Sequence, residues 1–292
     1  MLSVPEVARI SLKRILFPTD FSPASSAALP FALTLARIYG STLLLTHIIP
    51  PGLHLQAPSD PSPAQDDRPW RDAQHKLTEV AGDERLADIH CEILLERGDL
   101  ANLIPGIIRG QAADIVVLGT HGRRGVSKMV LGSGAEKIYR SASCPVLTVG
   151  PKVRPGDWGL RRILCPVDMA ENPEPYLQYA LSLAEENQAE FIVLQAVPLV
   201  PWQHRATVER QMIERLELLV PAHAGDGRPP HFLVRWEHPA EAVLLAAAEW
   251  EADLIVMGVR RARAARFSVH LPWPVASEVV SRAPCPVLTV RI

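Results

Sequence analysis

The chain has 292 residues, of which 48% are hydrophobic, and a formal net charge of −2. This balance does not indicate a nucleic-acid partner, and no apolar run approaches the roughly 20 residues that span a bilayer. The first residues lack the apolar core of a signal peptide, so we expect a cytoplasmic protein without a membrane partner. The four cysteines are scattered without a CxxC pair, which argues against a metal site or a disulfide framework.

The first half alternates short apolar runs with longer amphipathic ones. The short runs predict strands over residues 15–17, 43–48, 91–95, 115–118 and 146–149. The longer ones predict helices from a Ser22 cap to about Tyr39 and over residues 71–86, 100–111 and 135–140. Pro30 falls inside the first helix and predicts a kink or a later helix start. The alternation indicates a parallel sheet covered by helices on both faces.

The second half repeats the first in the same order and with nearly the same spacing. Arg14-Ile-Leu-Phe-Pro-Thr-Asp20 resembles Arg162-Ile-Leu-Cys-Pro-Val-Asp168, and Ala113-Asp-Ile-Val-Val-Leu-Gly119 resembles Ala252-Asp-Leu-Ile-Val-Met-Gly258. Cys144-Pro-Val-Leu-Thr-Val149 recurs as Cys285-Pro-Val-Leu-Thr-Val290. A tandem duplication predicts one domain over residues 1–150, a Pro- and Gly-containing linker over 151–160 and a second domain over 161–292.

A sparse glycine pattern separates the fourth predicted strand of the first half from the helix that follows. Gly119-Thr-His-Gly122 is followed, after nine residues, by Gly132-Ser133. Backbone amides exposed by glycine, together with a helix N-terminus, suit a phosphate group. A tight strand-to-helix turn that needs glycine at positive φ is the alternative interpretation. The loop carrying Asp20 lies at the same carboxyl edge, where open parallel sheets bind their ligands.

Together these features resemble the universal stress protein family, over nearly the whole chain. The residues that carry the resemblance are Pro18-Thr19-Asp20, the glycine pattern and the Cys-Pro-Val-Leu strands. The resemblance implies two tandem Rossmann-like α/β domains of the adenine nucleotide alpha hydrolase-like type, each an open five-stranded parallel sheet flanked by helices. It also implies a stress-response role. The last strands of the two halves are expected to pair antiparallel as a pseudo-dimer, and two chains to form a homodimer.

The ATP-binding branch of that family implies an ATP site in the first half, with or without Mg²⁺. Asp20 matches the acidic residue that binds the ribose, and Ile48 matches the residue whose backbone faces the adenine. Gly119 and Gly122 match the loop against the ribose and phosphates, and Gly132 and Ser133 the pair that binds the phosphates. The full set of predicted ATP-binding residues is Pro18, Thr19, Asp20, Ile48, Gly119, His121, Gly122, Gly132, Ser133, Gly134 and Ala135.

Several of these positions have a structural alternative. Asp20 can serve as a loop cap, a role suggested by Asp168, which persists in the second half without the glycines. His121 can touch a phosphate or face solvent. Gly134, where many members carry a branched apolar residue, either lets a phosphate approach closely or loosens the turn.

Neighbouring residues leave similar choices open. His47 is expected to be a satisfied core histidine. Arg123 and Arg124 either screen phosphate charge or are solvated. The Pro-, Ser- and Asp-rich segment 50–69 is either a lid over the adenine or disordered.

The second half lacks the glycine pattern. Arg261 stands in place of Gly122, and the Gly-Ser pair falls near Trp273-Pro274. Proline has no N–H to donate and tryptophan is bulky, so we predict one ATP site per chain. The arginine-rich stretch 260–266 is either a solvated loop or a surface for an anion or an acidic partner.

Motifs of other nucleotide enzymes are missing. The sequence has no P-loop, no dinucleotide fingerprint and no recognisable Ser-His-Asp or metal-ligand spacing. We therefore predict a nucleotide-dependent regulator without catalytic residues, with weak ATPase activity at most. A scaffold that binds no nucleotide and a slow ATP hydrolase are the alternatives.

Overall fold

The computed structural model describes residues 10–51, 68–120, 133–154, 156, 158–169, 172–198, 200–220, 229–259 and 273–291. Two compact units divide the chain. The N-terminal unit consists of Leu12–Leu118 and Ser133–Cys144. The C-terminal unit is built on Pro145–Ile292 and also takes up residues 10–11 and 119–120. Across these described stretches, none of the helices has the length and apolarity to cross a bilayer.

The first sequence repeat folds as alternating strands and helices. Its strands are β1 (Arg14–Pro18), β2 (Thr42–Ile49), β3 (Cys91–Arg97), β4 (Ile115–Gly119) and β5 (Val146–Val149). Its helices are α1 (Pro23–Tyr39), α2 (Arg68–Ala81), α3 (Leu100–Gly110) and α4 (Ser133–Ser141). The first four strands form a parallel array in the order β3-β2-β1-β4. The order reverses direction at β1, so the carboxyl ends of β1 and β4 flank a topological switch point.

Helix α1 begins where the sequence predicts, at Pro23 after the Ser22 cap. The Ser22 side chain accepts a hydrogen bond from the Ser25 amide at 3.3 Å, and Gly40 ends the helix at φ 63°. Pro30 lies inside one continuous helix, so the later start is wrong. The helix tolerates Pro30 because its buried stripe of Ala, Leu and Phe side chains outweighs one missing backbone hydrogen bond.

The helix predicted over residues 71–86 is shorter than expected. Helix α2 ends at Ala81, and a separate 3-10 turn covers Glu84–Leu86. Gly82 and Asp83 interrupt the helix, since the Asp83 carboxylate accepts a hydrogen bond from the Arg85 amide at 2.9 Å and caps the turn.

The second repeat follows the same plan. Its strands are β6 (Arg162–Val167), β7 (Glu190–Ala196), β8 (His231–Arg235), β9 (Leu254–Val259) and β10 (Val287–Arg291). Its helices are α5 (Glu174–Asn187), α6 (Arg205–Glu217), α7 (Pro239–Glu249) and α8 (Trp273–Arg282). Strand β10 pairs antiparallel with β5, with Leu288 opposite Leu147, as expected for the last strands. All other strand pairs in the order β10-β9-β6-β7-β8 are parallel.

The repeated Ala-Asp motif has a structural explanation in both units. The Asp114 carboxylate accepts hydrogen bonds from the amides of Lys13 and Arg14, at 2.7 and 2.9 Å. Asp253 accepts from the amides of Arg161 and Arg162, at 3.2 and 3.0 Å. Each aspartate thus joins the amino end of one central strand to the start of its neighbour, at the edge opposite the candidate site.

Candidate functional site

The carboxyl edge of the N-terminal unit carries a short, heavily hydrogen-bonded loop between β1 and α1. The Thr19 amide donates to the Thr46 carbonyl oxygen at 2.8 Å. The Thr19 hydroxyl accepts from the Phe21 amide and donates to the Ser25 hydroxyl, both at 3.0 Å. The loop is therefore anchored to both β2 and the first turn of α1.

Asp20 sits at the exposed apex of this loop. One carboxylate oxygen, Oδ1, accepts a hydrogen bond from the Ser22 amide at 3.0 Å. Asp20 thus performs the capping role of the structural alternative. The same bond fixes the direction of the carboxylate, because an acceptor held by a backbone amide cannot rotate freely.

His47 braces the loop from β2. Its Nδ1 atom lies 2.7 Å from the Thr19 carbonyl oxygen, so this nitrogen carries the proton and donates. Its ring stacks on Phe21 with centroids 4.6 Å apart, and Lys76 Nζ lies 5.5 Å from the Phe21 centroid. Phe21 has φ 58°, a left-handed conformation that costs a non-glycine residue about 1 kcal/mol. His47 is the satisfied histidine that the sequence predicts, although half-buried.

Ile48 occupies the same carboxyl edge, one strand away. It is half-buried and pairs with Glu96 of β3. The Gly98 amide donates to the Ile49 carbonyl oxygen at 2.9 Å, which extends the ladder beyond the strand ends. Pro18, Thr19, Asp20 and Ile48 therefore lie at the carboxyl ends of two neighbouring strands, β1 and β2.

The start of α4 is held at this edge by an ion pair. The Lys137 ammonium donates to Asp99 Oδ2 at 3.0 Å, while Asp99 Oδ1 caps α3 by accepting from the amides of Ala101 and Asn102. The hydrogen bond from Lys137 lowers the pKa of Asp99 below its ordinary value of 3.8. Because Asp99 directly follows β3 and its loop, this contact keeps the first turns of α4 near the strand ends.

Gly134 lies in the first turn of α4. Among the described residues, a Cβ atom added there would meet Leu100 Cδ2 alone, at 3.6 Å, an ordinary van der Waals distance. Packing against the described part of the chain therefore does not require glycine at this position. Ala135 beside it is buried, and Ser133 begins the helix.

Three of the predicted binding residues, His121, Gly122 and Gly132, lie outside the described residues. So do Arg123 and Arg124, residues 52–67 of the Pro-, Ser- and Asp-rich segment, and the arginine-rich stretch 260–266. The described part of the glycine pattern consists of Gly119, which ends β4, and of the α4 start at Ser133.

The C-terminal unit has a counterpart of the loop with different chemistry. The Asp168 amide donates to the Tyr176 hydroxyl at 3.2 Å, and the Met169 amide donates to Gln195 Oε1 at 3.2 Å. Tyr176 is a residue that the sequence prediction missed. A bulky aromatic residue where the first repeat has Ala28 is the signal that could have found it.

The fold and the position of the loop define a tandem α/β protein with a candidate ligand site at the switch point of a parallel sheet. A profile described as "Universal stress protein family" matches residues 11–150 and 159–291. The chain belongs to the universal stress protein family.

The chain is similar to individual proteins in sequence or in fold. A universal stress protein of Methanocaldococcus jannaschii is 30% identical over 148 residues, which cover 47% of this chain and 81% of that protein. The crystal structure of a universal stress protein from Archaeoglobus fulgidus has a TM-score of 0.70 at 20% identity, covering 97% of this chain and 99% of that one. A universal stress protein solved in complex with cAMP covers 48% of this chain and 98% of its own, at 18% identity and TM-score 0.37.

Proposed function

We propose that the protein is an ATP-binding, nucleotide-dependent regulator of the stress response, with one ATP site in the N-terminal unit. The observation that carries the proposal is the exposed Asp20 carboxylate, fixed in direction by the Ser22 amide at the switch point of the sheet. A carboxylate in that setting is a suitable acceptor for the two hydroxyls of a ribose.

Preorganisation of the loop supports binding. The Thr19, Phe21 and Ser22 amides and the His47 imidazole are already in hydrogen bonds without a ligand. Little conformational entropy is then lost when a nucleotide binds, and more of the contact energy appears as affinity.

The phosphate contacts are assigned to backbone amides at the start of α4. Lys137 is committed to Asp99 at 3.0 Å, so the proposal assigns no phosphate contact to its charge. Amides of the first helical turn, with the helix dipole behind them, supply the alternative donors. Ser133, Gly134 and Ala135 are the described members of this group, with or without Mg²⁺ beside the phosphates.

We favour a regulator over an enzyme because the sequence has no P-loop and no recognisable Ser-His-Asp or metal-ligand spacing.

The assembly of the protein is part of the same proposal. The antiparallel pairing of β5 with β10 supports a pseudo-dimer of the two repeats. We propose that two chains assemble as a homodimer in the cytoplasm, which light scattering and cell fractionation would test.

Titration calorimetry with ATP tests the site. We expect one ATP per chain, a loss of affinity of at least about tenfold in Asp20→Ala, and unchanged binding in the matched control Asp168→Ala. A Gly132→Val, Ser133→Ala double variant should also abolish binding. The proposal would be contradicted by a stoichiometry of two ATP per chain. It would also be contradicted if Asp20→Ala and Asp168→Ala lost the same ATP affinity.

Mass spectrometry of the denatured, freshly purified protein separates the competing functions. Released ATP supports a regulator. ADP or AMP in its place supports the slow hydrolase, and the absence of any nucleotide supports a scaffold.

A further inference from the structure

The two sequence repeats present the same two positions at the carboxyl ends of their strands. Ile15 pairs with Ile115 between β1 and β4, and Ile163 pairs with Leu254 between β6 and β9. Counted along the strands from these pairs, Asp168 stands where Asp20 stands. By the same count, Gly258 stands where Gly119 stands.

A single side chain covers both positions in the C-terminal unit. Tyr176 is 3% exposed, and a Cβ atom added to Gly258 would lie 2.6 Å from its Cε1 and 3.1 Å from its Cγ. The ring therefore rests directly on the Gly258 backbone, closer than any larger residue would allow. Its hydroxyl oxygen accepts the Asp168 amide at 3.2 Å.

The first repeat has a small residue at the aligned position. Leu29-Pro-Phe-Ala-Leu33 aligns with Leu177-Gln-Tyr-Ala-Leu181, which puts Ala28 in the place of Tyr176. Ala28 is buried and ends at its methyl group. The two repeats thus have the same order of strands and helices at this edge. They differ in that the second repeat has a tyrosine side chain where the first has alanine.

We propose that Tyr176 is the residue that excludes a nucleoside from the C-terminal unit. Its planar ring takes the position over Gly258 that the ribose is expected to take over Gly119, and its hydroxyl uses the Asp168 amide. The comparison with ribose rests on the proposed function, whereas the packing of Tyr176 does not.

Two side chains anchor the described part of the loop after β6. Gln195, aligned with His47, accepts the Met169 amide through Oε1 and donates from Nε2 to the Ala196 carbonyl at 2.7 Å. Gln195 and Tyr176 together hold Asp168 and Met169 from two sides. Removing the ring therefore opens a position without releasing the whole loop.

Equilibrium dialysis with adenosine tests the exclusion directly. Adenosine is the probe because the second repeat lacks the glycines assigned to phosphates. We expect Tyr176→Ala to bind one equivalent more than the wild type, and the same-helix control Tyr179→Ala to bind no more. The quantity compared is the number of adenosine equivalents that the variant binds beyond the wild type. This difference is informative whether the N-terminal unit binds one equivalent or none. Failure of the proposed function would instead appear as a wild type that binds no adenosine.

A folded Tyr176→Ala variant without an additional equivalent would overturn the proposal. Should that variant fail to fold, Tyr176→Leu, which keeps an apolar side chain in the core, enters the same measurement and the same criterion applies.

A mutant cycle adds a second test of the contact between the ring and the Gly258 backbone. Gly258→Ala should lower the melting temperature at least about threefold more in the wild-type background than in the Tyr176→Leu background, because the ring supplies the three nearest atoms to the added methyl group. Equal shifts in the two backgrounds would count against the proposal.

Discussion

The Nδ1 atom of His47 donates a hydrogen bond to the carbonyl oxygen of Thr19 at 2.7 Å. This bond connects the end of β2 to the loop that presents Asp20, although the two residues are 28 positions apart in sequence. The C-terminal unit keeps the connection with a different residue, because Gln195 binds the Met169 amide. The position therefore serves to hold the loop in both repeats, whatever its chemistry.

His47→Ala should weaken ATP binding and destabilise the protein together. Loss of one hydrogen bond of this kind, worth about 1 kcal/mol, lets the Asp20 loop move and predicts about a fivefold weaker affinity. Titration calorimetry measures this loss, and His47→Gln is the matched control because the second repeat uses glutamine there. Equal affinity in His47→Ala and wild type would contradict a role for the loop in binding.

Asp114→Ala should destabilise the fold without affecting ATP binding. Its carboxylate satisfies two backbone amides, so its removal is expected to lower the free energy of unfolding by about 2–3 kcal/mol. Asp253→Ala should behave alike, because Asp253 makes the same pair of contacts. Urea denaturation measures the loss. Asp114→Asn should lose less, because both amides donate to the one oxygen Oδ2 and a single amide oxygen can accept both bonds. A variant that lost ATP affinity but kept the wild-type free energy of unfolding would contradict this prediction.

The sequence predicts most of the fold because the strands are continuous apolar runs. The exact limits of the helices are harder to predict, since packing decides where an element ends. Helix α2 ends before Gly82 because Asp83 caps a separate turn. Helix α1 continues through Pro30 because it buries a whole face against the sheet. Such outcomes depend on tertiary contacts that a local pattern does not contain.

The sequence predicts a residue of the candidate site only when its position follows from the order of strands and loops. Asp20 and Ile48 can be located by counting from the strands. The roles of His47 and Tyr176 require knowledge of what lies across the sheet or above it, because each contacts a residue outside its own element. For Tyr176, the sequence evidence is the comparison between the two repeats, because the aligned residue of the first repeat is alanine.

The Asp99–Lys137 ion pair predicts a dependence of stability on pH. The hydrogen bond from Lys137 lowers the folded-state pKa of Asp99 below 3.8. The contribution is therefore fully present above pH 3.8 and is lost as the pH falls through the lower folded-state value. Asp99→Asn keeps a helix-capping side chain but removes the charge. We expect the stability difference between wild type and Asp99→Asn to shrink as the pH is lowered from 6 to about 3, as followed by urea denaturation. A difference that stays constant over this range would rule out the ion pair as its cause.

Gly134→Ala separates the two explanations of the glycine in the first turn of α4. An alanine Cβ would lie at an ordinary 3.6 Å from Leu100 Cδ2, so no clash with the described residues opposes the change. Alanine has the higher helix propensity, and we expect the free energy of unfolding to rise by up to about 1 kcal/mol. Because the methyl group has room within the protein, ATP affinity should stay within about twofold of wild type. Thermal denaturation and calorimetry on the same preparation measure both quantities, with Gly106→Ala in α3, which also has open space for a Cβ atom, as the control for propensity. If Gly134→Ala is stabilised like Gly106→Ala but loses ATP binding, the glycine is needed for close approach of the phosphate rather than for the turn.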